Sequence, residues 1–214
     1  MNEYHKILTV YKRDPETKYK TLVEGFFACP EFRFLADNEW IWTEKVDGTN
    51  IRVMWDGENI TFGGKTDRAQ IPSDLVNRLN ERFLSQKNNF ESFNGPACLY
   101  GEGYGPKIQK GGGNYRGDQD FVLFDVKIGS WWLKRKDVED IASLLGLDIV
   151  PEIGKGTLTE MVEMVKGGFV STWAHTTAFM AEGIVARPAV ELKARNGQRI
   201  ITKIKHNDFK EGRR

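Results

Sequence analysis

Apolar and polar residues alternate over residues 40–46, 51–55 and 59–62, the period-two pattern of strands with one buried face. Asp47-Gly48 and Asp56-Gly57 separate these runs and read as turns. The period then changes. Pro72 opens a helix, with Ile71 ahead of it and Leu75, Val76, Leu79 and Phe83 at helical spacing. Strands are predicted again at 97–102 and 120–128, separated by a glycine-rich loop, 103–117, that carries Lys107, Lys110 and Arg116. Residues 137–145 and 158–165 read as amphipathic helices, and 182–187 and 199–205 as closing strands. Strands outnumber helices and lie towards both ends of the chain. This predicts an α+β fold of mostly antiparallel sheets flanked by helices, not a βαβ winding.

Composition narrows the class. The 214 residues contain 40% hydrophobic and 12% aromatic side chains, enough to bury a core and too many for a disordered chain. Lys+Arg 31 against Asp+Glu 30 leaves a net charge of +1, which excludes a globally basic nucleic-acid coat. No apolar run approaches the ~20 residues of a membrane span, and MNEYHKILTV is too polar for a signal peptide. Cys29 and Cys98 cannot build a disulfide framework, nor a zinc cluster with His5, His175 and His206. A cytoplasmic protein with no membrane partner is expected. Charge is biased only in the tail, where residues 195–214 hold seven Lys or Arg and two acids. A solvated tail and a contact for a phosphate-bearing partner both account for it.

The obvious phosphate loops fail. Gly64-Lys65-Thr66 ends like a Walker loop, but Asn59 stands where its first glycine belongs. In Gly101-Glu-Gly-Tyr-Gly105, Pro106 takes the place of the third dinucleotide-binding glycine. Glu44-Lys45-Val46-Asp47-Gly48 is more suggestive. A lysine at a strand end before a tight turn can serve as a nucleophile if its neutral amine is available near pH 7. Alone, the pattern more often describes an exposed lysine beside a hairpin.

Read in order, the segments resemble the covalent nucleotidyltransferase superfamily of polynucleotide ligases and capping enzymes. Lys45-Val-Asp-Gly48 is similar to its motif I, and Gly63-Gly-Lys-Thr-Asp-Arg68 stands where motif Ia belongs. Leu99-Tyr-Gly-Glu-Gly-Tyr-Gly105 resembles motif III, and Phe121-Val-Leu-Phe-Asp-Val126 the motif after it. Glu182-Gly-Ile-Val-Ala-Arg-Pro188 resembles motif IV, and Ile201-Thr-Lys-Ile-Lys205 the paired-lysine motif V. Within the superfamily, Thr43-Glu-Lys, Gly105-Pro-Lys-Ile-Gln-Lys110 and Lys203-Ile-Lys-His-Asn-Asp-Phe209 resemble ATP-dependent RNA ligases of the RNA ligase 2 group. Asp47 departs from that group, which tends to place histidine there. Tyr11-Lys-Arg-Asp14 looks like the leader of phage-type enzymes, which act in the host cytoplasm.

The resemblance implies one nucleotidyltransferase (ATP-grasp-like ligase) adenylation domain over residues 1–214, with 1–39 as a leader and no OB or other C-terminal domain. It implies ATP and magnesium or manganese as cofactors and broken or nicked RNA ends as partners. Lys45 would be the nucleophile. Lys203 and Lys205 would contact the α-phosphate and lower the Lys45 pKa, and Glu182 would hold the metal, through water. Glu102 would accept from the ribose hydroxyls. Phe124 would stack on adenine, with Glu44 or its backbone near the exocyclic amine. Asp47 and Gly48 complete the nucleotide-binding turn, and Lys65 and Arg68 are the motif Ia candidates. Lys107, Lys110, Arg116, Lys210, Arg213 and Arg214 are the candidate RNA contacts. The alternatives are a DNA ligase, a GTP-using capping enzyme, and a catalytically silent module that binds nucleic-acid ends.

Overall fold

The computed structural model describes residues 3–209. Its first elements are β1 (Leu8–Thr9), β2 (Tyr11–Arg13), β3 (Leu22–Phe27), α1 (Pro30–Phe34), β4 (Trp40–Glu44), β5 (Thr49–Trp55) and β6 (Ile60–Gly63). Helices α2 (Ser73–Phe83) and α3 (Lys87–Glu91) lead to β7 (Ala97–Tyr104), β8 (Asp120–Ile128), β9 (Trp131–Trp132) and α4 (Arg135–Leu145). The chain continues through β10 (Glu152–Gly156), α5 (Leu158–Gly167), β11 (Gly183–Pro188) and β12 (Thr202–Lys205). The fold is α+β, with antiparallel pairing throughout the named strands except between β1 and β12. No described helix is long and apolar enough to cross a membrane. The described residues form two compact units.

Among the described residues, the first unit contains those up to His5, Asp47–Val150 and Ala174–Thr177. Its sheet runs β6-β5-β7-β8-β9. Ile51, Val53 and Trp55 of β5 share a core with Leu75, Leu79 and Phe83 of α2 and Val138, Ala142 and Leu145 of α4. Strand β7 must stay thin for these to pack. A Cβ on Gly101 would lie 2.2 Å from the Phe121 ring, and one on Gly103 would lie 2.4 Å from a Leu75 methyl.

Asp120, at the start of β8, is wholly buried and gathers three arginines. Arg82 donates to its Oδ2 at 2.6 Å and Arg78 at 3.3 Å, and Arg116 donates to the same oxygen. Burial pushes the Asp120 carboxyl up, but hydrogen bonds from Arg82, the Phe121 N–H and Arg78 outweigh it and hold the group below its usual range. A carboxyl depressed on folding adds stability above its unfolded pKa, and that stability drains away as pH falls through the folded value. Asp120→Asn strands the guanidiniums, so it should cost about 3 kcal/mol at pH 7. Denaturant titrations at pH 7 and at about pH 2 should show the gap between variant and parent shrinking at the lower pH.

The second unit contains Lys6–Val46, Pro151–Trp173 and the described residues from Ala178 onward. Its sheet runs β1-β12-β11-β4-β10, and β2 pairs with β3 in a separate hairpin. Thr157 and Glu160 form a reciprocal cap on α5, which buries Leu158, Met161, Val162 and Val165 in a core with Trp40, Ile184 and Ile204. Residues 1–39, expected as a leader, supply β1, the hairpin and α1. Strand β10 has no counterpart in the hydrophobic pattern, because its Glu-Ile-Gly-Lys-Gly lacks alternation. Its glycines accommodate the Trp42 indole, which a Cβ on Gly156 would meet at 2.8 Å.

Candidate active site

Strand β11 lies between β4 and β12, with Ile184 opposite both Glu44 and Ile204. The register continues past β4, where the Lys45 N–H donates to the Gly183 carbonyl at 2.9 Å. Gly183 also pairs with Lys205. Three segments far apart in sequence therefore bring Lys45, Glu182 and Lys205 together. Glu182 bridges the two ammoniums: Lys45 Nζ lies 2.6 Å from its Oε2 and Lys205 Nζ 2.5 Å from its Oε1. The carboxylate is 9% exposed, the Lys45 side chain 18% and the Lys205 side chain 36%, so the cluster is sheltered yet open to solvent on the Lys205 side. Lys203 is two residues from Lys205 and on the same strand face. It is half-buried, and its carbonyl accepts from the Val10 N–H at 3.1 Å.

Glu44, one residue before Lys45, is buried. Its carboxylate accepts from the Ser171 hydroxyl, from the Thr172 N–H at 2.8 Å and from the Thr172 hydroxyl at 2.9 Å. Its side chain thus fixes the 171–172 segment, and an adenine contact would fall to its backbone. Ser171 and Thr172 went unpredicted because neither belongs to a recognisable motif.

In the first unit, Gly48 lies against β7, where a Cβ would come within 2.2 Å of the Gly103 carbonyl and 2.8 Å of Glu102 Cγ. Only glycine permits that approach. The Asp47 N–H donates to the Tyr115 hydroxyl at 3.1 Å, and Gln109 Nε2 donates to the Gly48 carbonyl at 3.0 Å. Half-buried Glu102 stands opposite Asn50 of β5. Phe124, also half-buried, interrupts the β7–β8 register, in which Tyr100 faces Asp125 and Gly101 faces Leu123. It is the extra residue of a β-bulge, a feature that re-aims a side chain.

Lys65 and Arg68 are exposed on the loop after β6. Wholly buried Arg52 braces that loop, its Nε donating to the Gly64 carbonyl at 2.9 Å and its NH2 to Asp67 at 2.7 Å. Sequence reading missed Arg52, whose position in an apolar strand was the available signal. Lys107 and Lys110 are exposed. Arg116 differs from expectation: its guanidinium is committed to Asp118, Asp120 and the Tyr104 hydroxyl. Burial lowers its pKa, but those partners more than offset this and raise it above the usual value. Those bonds tie its guanidinium into the fold. Lys210, Arg213 and Arg214 lie outside the described residues.

Residues 38–205 match the model of the RNA ligase family. This chain belongs to the RNA ligase family. Solved structures of Naegleria gruberi RNA ligase are similar to it in fold. An apo mutant gives a TM-score of 0.65 at 16% identity, covering 98% of this chain and 58% of that one. A mutant with ATP and Mn gives 0.66 at 17% identity, with 98% and 59% covered. The same ligase with PPi gives 0.62 at 16% identity, with 98% and 59% covered. This RNA ligase family member thus spans less than two thirds of the length of the Naegleria chains it matches.

The donor set around Glu182 fits one kind of metal. Among the described residues, no group of three or more His, Cys, Asp or Glu could hold an ion. A lone sheltered carboxylate suits a hydrated magnesium, which keeps several waters and is shared with substrate phosphates. It does not suit an all-protein cage.

Proposed function

We propose that this RNA ligase family member seals RNA ends with ATP through a covalent lysyl–AMP intermediate. The observation that carries the reading is the Lys45–Glu182–Lys205 cluster on neighbouring strands. Lys45 Nζ attacks the α-phosphorus of ATP, forming a P–N bond as the bond to the β-phosphate oxygen breaks and pyrophosphate leaves. AMP then passes to an RNA 5′-phosphate, and a 3′-hydroxyl displaces it to form the phosphodiester. Lys203 and Lys205 stabilise charge on the α-phosphate oxygens. Glu182 would hold a divalent cation through water, and a bound cation would supply neutralising charge to the phosphates. Glu102 accepts from the ribose hydroxyls, Phe124 stacks on adenine, and the Glu44 backbone lies near its amine. Asp47 and Gly48 shape the turn after the nucleophile, and Lys65 and Arg68 meet the nucleotide from the motif Ia loop. Support for ATP and metal comes from the family match and from the Naegleria ligase structures with ATP and Mn.

The test is incubation with labelled ATP or GTP and magnesium, then a sealing assay on defined RNA and DNA nicks. A covalent AMP adduct with RNA sealing is expected. A GMP adduct would mean capping chemistry, DNA sealing alone would mean a DNA ligase, and no adduct would mean a binding module.

RNA is the salt-sensitive partner in this reading. Lys107 and Lys110 are its candidate contacts among the described residues, and Lys210, Arg213 and Arg214 are further candidates that lie outside them. Phosphate contacts release counterions, so neutralising Lys107 and Lys110 should slow RNA sealing and flatten its salt dependence. Self-adenylation should stay within about twofold, since the sheltered cluster is screened less. Rates of both steps across a salt series check this.

A further inference from the structure

We propose that Tyr4 is a positioning residue for the nucleotide base, holding the Phe124 ring at the angle on which adenine stacks. This rests on the ATP-dependent ligase reading and adds a residue outside the 38–205 span that the family model matches.

The need for such a residue follows from the bulge. In the β7–β8 register Tyr100 faces Asp125 and Gly101 faces Leu123, so Phe124 falls between the register pairs, at the position where a bulge re-aims a side chain. Tyr4 supplies a wall. Its ring meets Phe124 nearly edge-on, with centroids 5.1 Å apart and planes at 77°, the favourable geometry for two aromatic quadrupoles. Tyr4 is itself fixed at three points. Its hydroxyl donates to Asp125 Oδ2 at 2.8 Å, on a carboxylate that is wholly buried. Its ring packs 5.0 Å from Tyr100 and 5.7 Å from Trp132. The chain thus ties one residue of the bulge through a hydrogen bond and the adjacent one through a ring contact, using the same side chain. Such double anchoring suits a stacking platform, where a small ring rotation changes the overlap with a base.

The experiment uses the full chain with Tyr4→Leu, which keeps apolar bulk but loses both contacts, and Tyr4→Phe, which keeps the ring. Readouts are KM for ATP and kcat in self-adenylation, and sealing of pre-adenylated RNA, which needs no free ATP. Tyr4→Leu should raise KM for ATP by about tenfold, the scale of a lost base–aromatic stack, with kcat within about twofold. Tyr4→Phe should recover most of that loss. Combining Tyr4→Leu with Phe124→Ala should add little to Phe124→Ala alone, because both act on one ring. Sealing of pre-adenylated RNA should be unchanged.

An unchanged KM in Tyr4→Leu, or fully additive effects with Phe124→Ala, would overturn the role while leaving the ligase reading intact. A parallel fall in kcat and in pre-adenylated sealing would make Tyr4 merely structural and overturn it too. Failure of the parent protein to form an AMP adduct overturns the ligase reading and this role together.

Discussion

Lys45→Ala should abolish the covalent AMP adduct, lowering self-adenylation by on the order of 10⁴-fold or more. Lys45 is the nucleophile in the proposed reaction, so no other group in its place can form the P–N bond. Lys45→Arg should be equally inactive. A guanidinium is protonated at any working pH and has no lone pair to offer. The arginine variant also keeps a positive charge beside Glu182, which separates loss of nucleophilicity from loss of the ion pair at 2.6 Å. Both variants should still seal pre-adenylated RNA to some extent, because that step bypasses the lysyl intermediate. Peptide mapping after incubation with labelled ATP checks the assignment. AMP found on a lysine other than Lys45 would refute it.

Glu182 should be nearly as sensitive. Its two oxygens hold Lys45 and Lys205, so Glu182→Ala removes the anion between two ammoniums and the proposed anchor for the metal. The ammoniums then repel, and the α-phosphate loses an ordered set of charges to meet. Loss of an electrostatic element of this kind typically costs about 10²–10³ in rate. The variant should also need more magnesium to reach its maximum. Glu182→Gln keeps the shape and can accept one hydrogen bond, so it should fall between the two. Adenylation rates measured over a magnesium series decide the matter, and normal activity of Glu182→Ala at low magnesium would remove the metal role.

Much of the fold is legible in the sequence, because the physics that shapes it is local. The alternation in β5 and the helical spacing of Leu75, Leu79 and Phe83 report buried faces directly. The glycines of β7 were noticed as a motif, but their structural reason, room for Phe121 and Leu75, appears only once α2 is packed. Strand β10 is illegible for the converse reason. Two of its five residues are glycines whose value lies in accommodating Trp42, a partner more than a hundred residues away in the chain. The candidate site divides in the same way. Lys45, Glu182 and Lys205 stand out by motif, and the sheet register brings them together. Ser171, Thr172 and Tyr4 act through contacts with distant segments, so periodicity carries no trace of them, whereas Arg52 shows in the sequence as a charge within an apolar strand. Arg116 shows the converse: its charge is plain in the sequence, but the carboxylates it bonds depend on tertiary structure.

The two sheets also differ in when they can be completed as the polypeptide leaves the ribosome. The β6-β5-β7-β8-β9 sheet is drawn from one unbroken stretch, Thr49 to Trp132, and its pairings join strands that emerge close together in time. The other sheet needs Leu8–Thr9, Trp40–Glu44, Glu152–Gly156, Gly183–Pro188 and Thr202–Lys205. Its middle strand pairs on one side with a segment made about 140 residues earlier, and β1 waits for β12. Pairings between such widely separated segments form slowly, because a long loop must close first. Lys45 therefore leaves the ribosome well before Glu182 and Lys205, and the proposed nucleophile waits for both before the cluster can form.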